Sequence, residues 1–311
     1  MDKPVADSAL QRAAETGRVM QRRRQSRIAY VASMARAYPQ LGIGLTILVF
    51  LIVSALAAPL IAPYDPNALN TQALLETPSR THLFGTDNVG RDVFSRVVYG
   101  GRVSLPVVAV AVLAGMVIGV TVGLVSGYYR GRIDSVIMRV MDGFMAFPSL
   151  VLALTIAFAL GASLRSVIVA LAIVRIPAAA RLIRGQALVL HHQDYVLAAH
   201  ATGVGPLRII SHYFLPNLVS VILIQASLGA GATIFAEASL GFLGLGVPPP
   251  TPSWGGMLRD GYLYMEVNPW LSMIPGAMIF LAILSFNLSG DGLRDALDPR
   301  QRQRVPRRRE A

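Results

Sequence analysis

The chain has 311 residues, 54% of them hydrophobic and 14% charged, with a mean hydropathy of +0.54; soluble domains carry about 25% charged residues, so this is the composition of a membrane protein. Net charge is +11, from 28 Lys and Arg against 17 Asp and Glu, but the arginines gather at both ends and between apolar runs, which argues against nucleic acid as the partner. There is no cysteine, which excludes disulfides and thiol chemistry, and the only lysine, Lys3, sits in a polar tail, so the chain supplies neither a P-loop lysine nor a Schiff-base lysine and any ATP must be held by another chain.

Residues 1–40 read as a basic tail centred on Arg22-Arg23-Arg24, too long and polar for a cleaved signal peptide. The uncharged run 41–62 then has the roughly 20-residue length that spans a bilayer. A polar segment follows over 63–102, and a second span is expected over 103–129, ending in the basic turn Tyr128-Tyr129-Arg130-Gly131-Arg132. The third is expected from Met141-Asp142 through Phe144 to Leu164, with Pro148 near its start. A fourth begins after Arg165 and takes up Arg175, Pro177, Arg181 and Arg184; it is expected to leave the hydrocarbon near Pro177 and continue as a helix beyond it. The fifth runs over 218–236 and the sixth over 270–290, separated by a Gly- and Pro-rich loop at 241–256 that reads equally as re-entrant or as extended, with Trp254 at headgroup level. The core of the chain is thus 103–292, and 293–311 is a second basic tail.

Six spans put both ends on one side. The 1–40 and 293–311 tails carry eight and seven Lys or Arg, whereas 63–101 and 237–268 carry three and one. The positive-inside rule therefore places both termini, the 130–132 turn and the 175–217 segment in the cytoplasm. The expected fold class is an all-α polytopic membrane protein with six transmembrane helices.

Between the fourth and fifth spans lies Asp194–Asn217, DYVLAAHATGVGPLRIISHYFLPN, which reads as two short helices with a glycine joint. Asp194 is expected to cap the first helix, Gly203 and Gly205 to make the turn, and Pro206 to open the second, which is expected to stop at Leu215-Pro216. From these residues alone the element is either a cytosolic docking feature or a loop folded on its own bundle.

Catalytic signatures are missing: there is no H-E-x-x-H, G-x-S-x-G or G-x-G-x-x-G, and no histidine pairs with a carboxylate inside a span. Adjacent His191 and His192 face different sides of a helix and are poorly suited to a metal. Of the charges at span edges, Asp142 and Glu237 read as interfacial groups that pair with arginines or cap helices, and Arg175 is the ionisable group within a span.

Taken together, five stretches resemble the second permease of the dipeptide, oligopeptide and nickel family of ATP-binding-cassette importers. They are His82-Leu83-Phe84-Gly85-Thr86-Asp87 with Gly90-Arg91-Asp92-Val93-Phe94-Ser95-Arg96, then Met141-Asp142 with Ala146-Phe147-Pro148. Further on come Glu237-Ala238-Ser239-Leu240 with Phe242-Leu243-Gly244-Leu245-Gly246 and Pro252-Ser253-Trp254-Gly255, and finally Phe286-Asn287-Leu288 with Gly290-Asp291-Gly292-Leu293. The fifth is the 194–217 element, similar to the family's E-A-A, three residues, G, nine residues, I-x-L-P signature; Leu197 stands where the pattern has Glu, and Tyr213 where it has Ile.

The resemblance covers about residues 41–300 and implies a non-catalytic subunit of a bacterial or archaeal inner-membrane importer. A sister permease would form a heterodimer with it, two ATPase subunits would carry ATP and Mg, and an extracytoplasmic binding protein would deliver a peptide or related solute. No cofactor is expected on this chain. ATP-driven alternating access would act through a coupling loop comprising Asp194, Tyr195, Ala198, Ala199, Gly203, Leu215 and Pro216. A secondary carrier or channel is the alternative, and it calls for mid-membrane ionisable residues and internal repeats.

Overall fold

A computed structural model of the protein describes residues 37–297, so the two basic tails lie almost wholly outside the described residues. Those residues are helical, with no β-strand among them beyond an isolated bridge between Thr86 and Asp92. In chain order the helices are α1 (Pro39–Leu56), α2 (Ala58–Ile61), α3 (Val93–Tyr129), α4 (Gly131–Met145), α5 (Ser149–Leu160), α6 (Leu164–His191), α7 (Asp194–Ala201) and α8 (Pro206–Ile209). A π-helical turn over Ile210–Phe214 joins α8 to α9 (Leu215–Phe242), and α10 (Trp254–Tyr262) and α11 (Trp270–Leu297) complete the chain. Five helical stretches are long and apolar enough to cross a membrane, or six if α4 and α5 together make one broken span.

The bundle is organised on α3 and α6, which make its most extensive helix pair. On α3, Gly115, Gly119, Gly123 and Gly127 recur every fourth residue and so line one face. A Cβ on Gly119 would come within 2.6 Å of the Ala179 Cβ, and one on Gly127 within 2.6 Å of the Ala187 Cβ. Glycine facing alanine lets the two backbones approach, and in a lipid solvent this dispersion contact is the main source of helix association. The stripe gives no hydropathy signal and was not anticipated.

Three expected boundaries move. Helix α3 starts at Val93, well before residue 103, because Asp92 caps it: its carboxylate accepts from the Ser95 N–H at 2.8 Å and the Ser95 hydroxyl at 2.7 Å. The third expected span is broken: α4 and α5 meet at 87° around Pro148, since the residue before a proline is pushed out of helical geometry. The polar side of α4 is strapped to α6 by Arg184–Asp134 and Arg181–Asp142 ion pairs. Helix α6 runs unbroken through a buried Pro177 to His191, in keeping with a helix that continues beyond that proline. Finally, the second helix of the 194–217 element does not stop at Leu215-Pro216. Its backbone widens into the π turn just before Pro216, and the wider turn accommodates a residue that lacks an N–H and crowds the preceding carbonyl.

At the opposite end of α3 from Tyr128, the 62–92 segment is folded down onto the helix start. Thr86 donates to the Ala73 carbonyl at 2.6 Å and accepts from the Glu76 N–H at 2.9 Å, and His82 Nδ1 lies 2.9 Å from Asp92 Oδ1. Asp87 accepts from Arg91 Nε at 2.6 Å, and Arg96 donates to the Pro66 carbonyl at 2.9 Å. The charged residues of the HLFGTDNVGRDVFSR stretch are therefore internal ties. Gly85 and Gly90 take positive φ there, and a Cβ on either would strike the Glu76 or Asn70 carbonyl.

The 241–256 loop is not an extended link; it leads by turns into α10, which packs on α9 and α11. Trp254 is turned into the bundle: it is 2% exposed, lies against Gly100 and Gly101, and donates its indole N–H to the Val97 carbonyl at 2.9 Å. Burial wins because a partner for the indole nitrogen exists inside the bundle.

Candidate functional site

The 194–217 element sits at the end of the bundle where α3 and α6 finish. Its first helix, α7, has Gln193 rather than Asp194 at the cap position, with no side-chain cap bond; Asp194 is the first helical residue and acts only as an acidic group in the first turn. Helix α7 then closes with a left-handed glycine. Gly203 has φ +77°, its N–H donates to the His200 carbonyl at 3.0 Å, and the Val204 N–H reaches back to the Ala199 carbonyl at 3.0 Å. This pair of bonds is the Schellman stop, which uses up two orphan carbonyls of the helix end. The Thr202 hydroxyl adds a bond to the Ala199 carbonyl at 3.0 Å. Nothing lies within 4 Å of where a Gly203 Cβ would be, so glycine is demanded here by backbone conformation and not by space. Gly205 and Pro206 then start α8, whose first turn is closed by Arg208 and Ile209 N–H groups donating to the Gly205 carbonyl at 3.1 Å.

Val196, Ile209 and Phe214 are fully buried and Ala199 nearly so; together they fix the element to the core. Beneath it, rings from α3, α6, α7 and the π turn meet. His200 of α7 stacks on Tyr128 of α3 with centroids 5.8 Å apart, and lies 5.2 Å from His191 of α6; Phe214 is 6.1 Å from Tyr128. The 194–217 element is thereby packed onto the ends of α3 and α6. No group of three or more potential metal ligands occurs among the described residues.

The outward side is different in kind. Tyr195 is 43% exposed, Leu197 48% and Leu207 82%, leaving apolar side chains exposed beside the charged Asp194 and Arg208. Tyr195 stands 6.4 Å from Tyr213, ring on ring, tying the first arm to the second. Of the residues expected to couple, Asp194, Tyr195, Ala198 and Gly203 lie together on this exposed element, while Ala199 faces inward. Leu215 and Pro216 do not join them: they open α9 beyond the π turn, and Leu215 lines an apolar groove of about 820 Å³ bounded by α1, α3, α9 and α11. Leu207 is the residue that sequence reasoning undervalued. The helix start at Pro206 turns it outward, while Ile209 and Phe214 are buried.

Glu237 does not pair with an arginine among the described residues. It is 3% exposed inside the bundle, where the Ser104 hydroxyl donates to it at 3.1 Å. Asp142, in contrast, does pair with an arginine, Arg181.

Residues 119–303 match the family described as binding-protein-dependent transport system inner membrane component, and residues 42–78 match the N-terminal TM domain of oligopeptide transport permease C. The chain is 44% identical over 260 residues to a dipeptide transport system permease protein, DppC, of Alkalihalophilus pseudofirmus, covering 84% of this chain and 86% of that one. It is 44% identical over 266 residues to the glutathione transport system permease protein GsiD of Pectobacterium atrosepticum, covering 85% and 88%. It is 45% identical over 255 residues to a probable D,D-dipeptide transport system permease protein, DdpC, of Escherichia coli, covering 82% and 85%. Among solved structures, a chain of the MetNI methionine ABC transporter in inward-facing conformations superposes with a TM-score of 0.54 at 20% identity, over 65% of this chain and 97% of that one, and so shares the fold.

Proposed function

Because the chain belongs to the family of binding-protein-dependent transport system inner membrane components, we propose that its 194–217 element is the seat on which a separate ATPase acts. The chain is a permease subunit of an ATP-binding-cassette importer, of the dipeptide and oligopeptide type. Its cargo is a peptide or peptide-like solute, the class that the names of its relatives share. With a sister permease it encloses the pathway; two ATPase subunits binding ATP and Mg dock from the cytoplasm, and a binding protein delivers solute on the other side. Both termini are cytoplasmic, in keeping with the charge bias of the loops. The 1–40 and 293–311 segments are then cytoplasmic tails and 63–102 is extracytoplasmic.

One observation carries the docking role: an exposed apolar surface of Tyr195, Leu197 and Leu207 is held on a stop that cannot bend without losing Gly203's bonds. A rigid knob transmits a displacement that a pliant loop would absorb. Since position 197 is Leu, the contact relies on shape and apolar burial and not on a carboxylate there. Helix α4 and its straps to α6 complete a cytoplasmic layer through which the stroke reaches the bundle.

The test is uptake of a labelled dipeptide into proteoliposomes holding this permease, the sister permease, the ATPases and the binding protein encoded beside it. Uptake should require ATP and every one of these chains. Dipeptide accumulation by this chain alone, without nucleotide, would make it a secondary carrier instead.

A further inference from the structure

Three arginines of α6 point to different environments. Arg181 and Arg184 have carboxylate partners on α4, whereas Arg175, near the middle of the same helix, has none. Its Nε and Nη2 are buried with no hydrogen-bond acceptor, and no carboxylate of the described residues forms an ion pair with it. The site is nonetheless built for a guanidinium. Gly229 of α9 lies flat against it, and a Cβ there would collide with Nη2 and Cζ; Gly115 of α3 makes room for its stem, where a Cβ would lie 2.7 Å from the Arg175 Cβ. Three helices thus cradle one cation near their midpoints. A charge held at that depth without a counter-charge is unfavourable, so an anion must reach it from outside the described chain for at least part of the working cycle.

We propose that Arg175 is a carboxylate-recognition point on the translocation route, meeting the free carboxylate of the transported solute part way across. This rests on the reading that the cargo is peptide-like and therefore carries a carboxylate. The geometry favours a passing ligand over a permanent partner. With Nε and Nη2 closed off by the chain itself, Nη1 is the nitrogen not sealed in, and an acid meeting it cannot form the two-pronged pair by which arginine normally grips a fixed carboxylate. Contact through one nitrogen is strong enough to orient an anion and weak enough to release it. Transporter sites are commonly found at this depth, between helices of the bundle.

The test compares a dipeptide carrying a free C-terminal carboxylate with the same dipeptide as its C-terminal amide, in the full reconstituted importer. Uptake is read for wild type, Arg175→Lys and Arg175→Gln and expressed, for each peptide, relative to wild type, so that delivery by the binding protein cancels. Arg175→Gln should lower uptake of the acid about tenfold, the equivalent of one charge-assisted hydrogen bond, and leave the amide unchanged, with Arg175→Lys in between. In parallel, thermal unfolding of the purified complex without binding protein should shift upward with an N-acetylated dipeptide acid and not with its amide, and the Gln variant should lose that shift. Equal loss of acid and amide, or no acid-specific shift in wild type, overturns the proposal and assigns Arg175 a fixed partner such as a carboxylate of the sister permease. If Arg175→Gln does not assemble, the wild-type titration decides. Failure of wild type to import any peptide with ATP, by contrast, sinks the cargo reading itself.

Discussion

Glycine does opposite jobs in two regions of this protein. Along the α3–α6 seam, Gly115, Gly119, Gly123 and Gly127 are ordinary helical residues that must be small because alanines and carbonyls of α6 fill the space where a side chain would go. At the 194–217 element, Gly203 has open space around it and must be glycine because its φ is +77°. The seam is closed: α6 leaves no room for a side chain at any of these four positions. The 194–217 element has a closed inner side and an outer side with exposed apolar side chains, the surface proposed to seat the ATPase. Substitutions in the first region should therefore destroy the permease, and substitutions in the second should disable an intact one.

The largest effect is expected in the seam. Gly119→Leu drives a side chain into Ala179 and the Ile176 carbonyl and should cost about 3 kcal/mol or more, so that little folded protein accumulates in the membrane, as read by size-exclusion profile of the extracted chain. A monodisperse Gly119→Leu protein at wild-type level would mean that α3 and α6 separate easily. Next, Gly203→Val forces a β-branched residue into left-handed backbone, a strain of about 1–2 kcal/mol, while meeting no atoms. It should accumulate normally yet lose most ATP-dependent uptake, with Gly203→Asn recovering much of it because asparagine tolerates that conformation. If Val and Asn behave alike, rigidity of the turn is not what coupling uses.

Smaller again is Arg184→Ala, which removes the strap from α6 to Asp134. With the guanidinium about a third exposed, solvent screening holds the cost to about 1 kcal/mol, visible as a modestly lower Tm with the assembly intact. Smallest is Leu197→Glu, which restores the acid of the family pattern at a half-exposed helix position: stability should stay within about 0.5 kcal/mol and uptake should change little. A several-fold gain would show that a carboxylate at 197 still finds a waiting cation on the ATPase.

What the sequence made legible follows the same division. Long uncharged runs gave away the spans because hydrocarbon tolerates little else. The Gly203 turn was readable because a glycine between capped helical stretches has few other uses. The start of α3 at Val93 was hidden because Asp92 and Arg96 look like loop charges until Ser95 and the Pro66 carbonyl satisfy them. The 87° break at Pro148 was hidden by the continuity of apolar residues on both sides, and the run-through at Pro216 by a π turn that leaves no mark in composition. The glycine seam escaped because its signal is a period of four in a residue that hydropathy scores as neutral. Leu207 and Ile209, two positions apart on one helix, end on opposite sides of the docking surface, and only the placement of α8 on the core distinguishes them.

The most direct test is whether the apolar outer side of the element holds the ATPase. Leu207, the most exposed of its large side chains, can be changed to Asp with no internal contact to lose. Purified through a tag on this chain, the Leu207→Asp complex should retain the sister permease at wild-type stoichiometry and lose its ATPase subunits, with uptake falling in proportion. A Leu207→Asp complex with a full complement of ATPase and wild-type uptake would contradict docking at this surface.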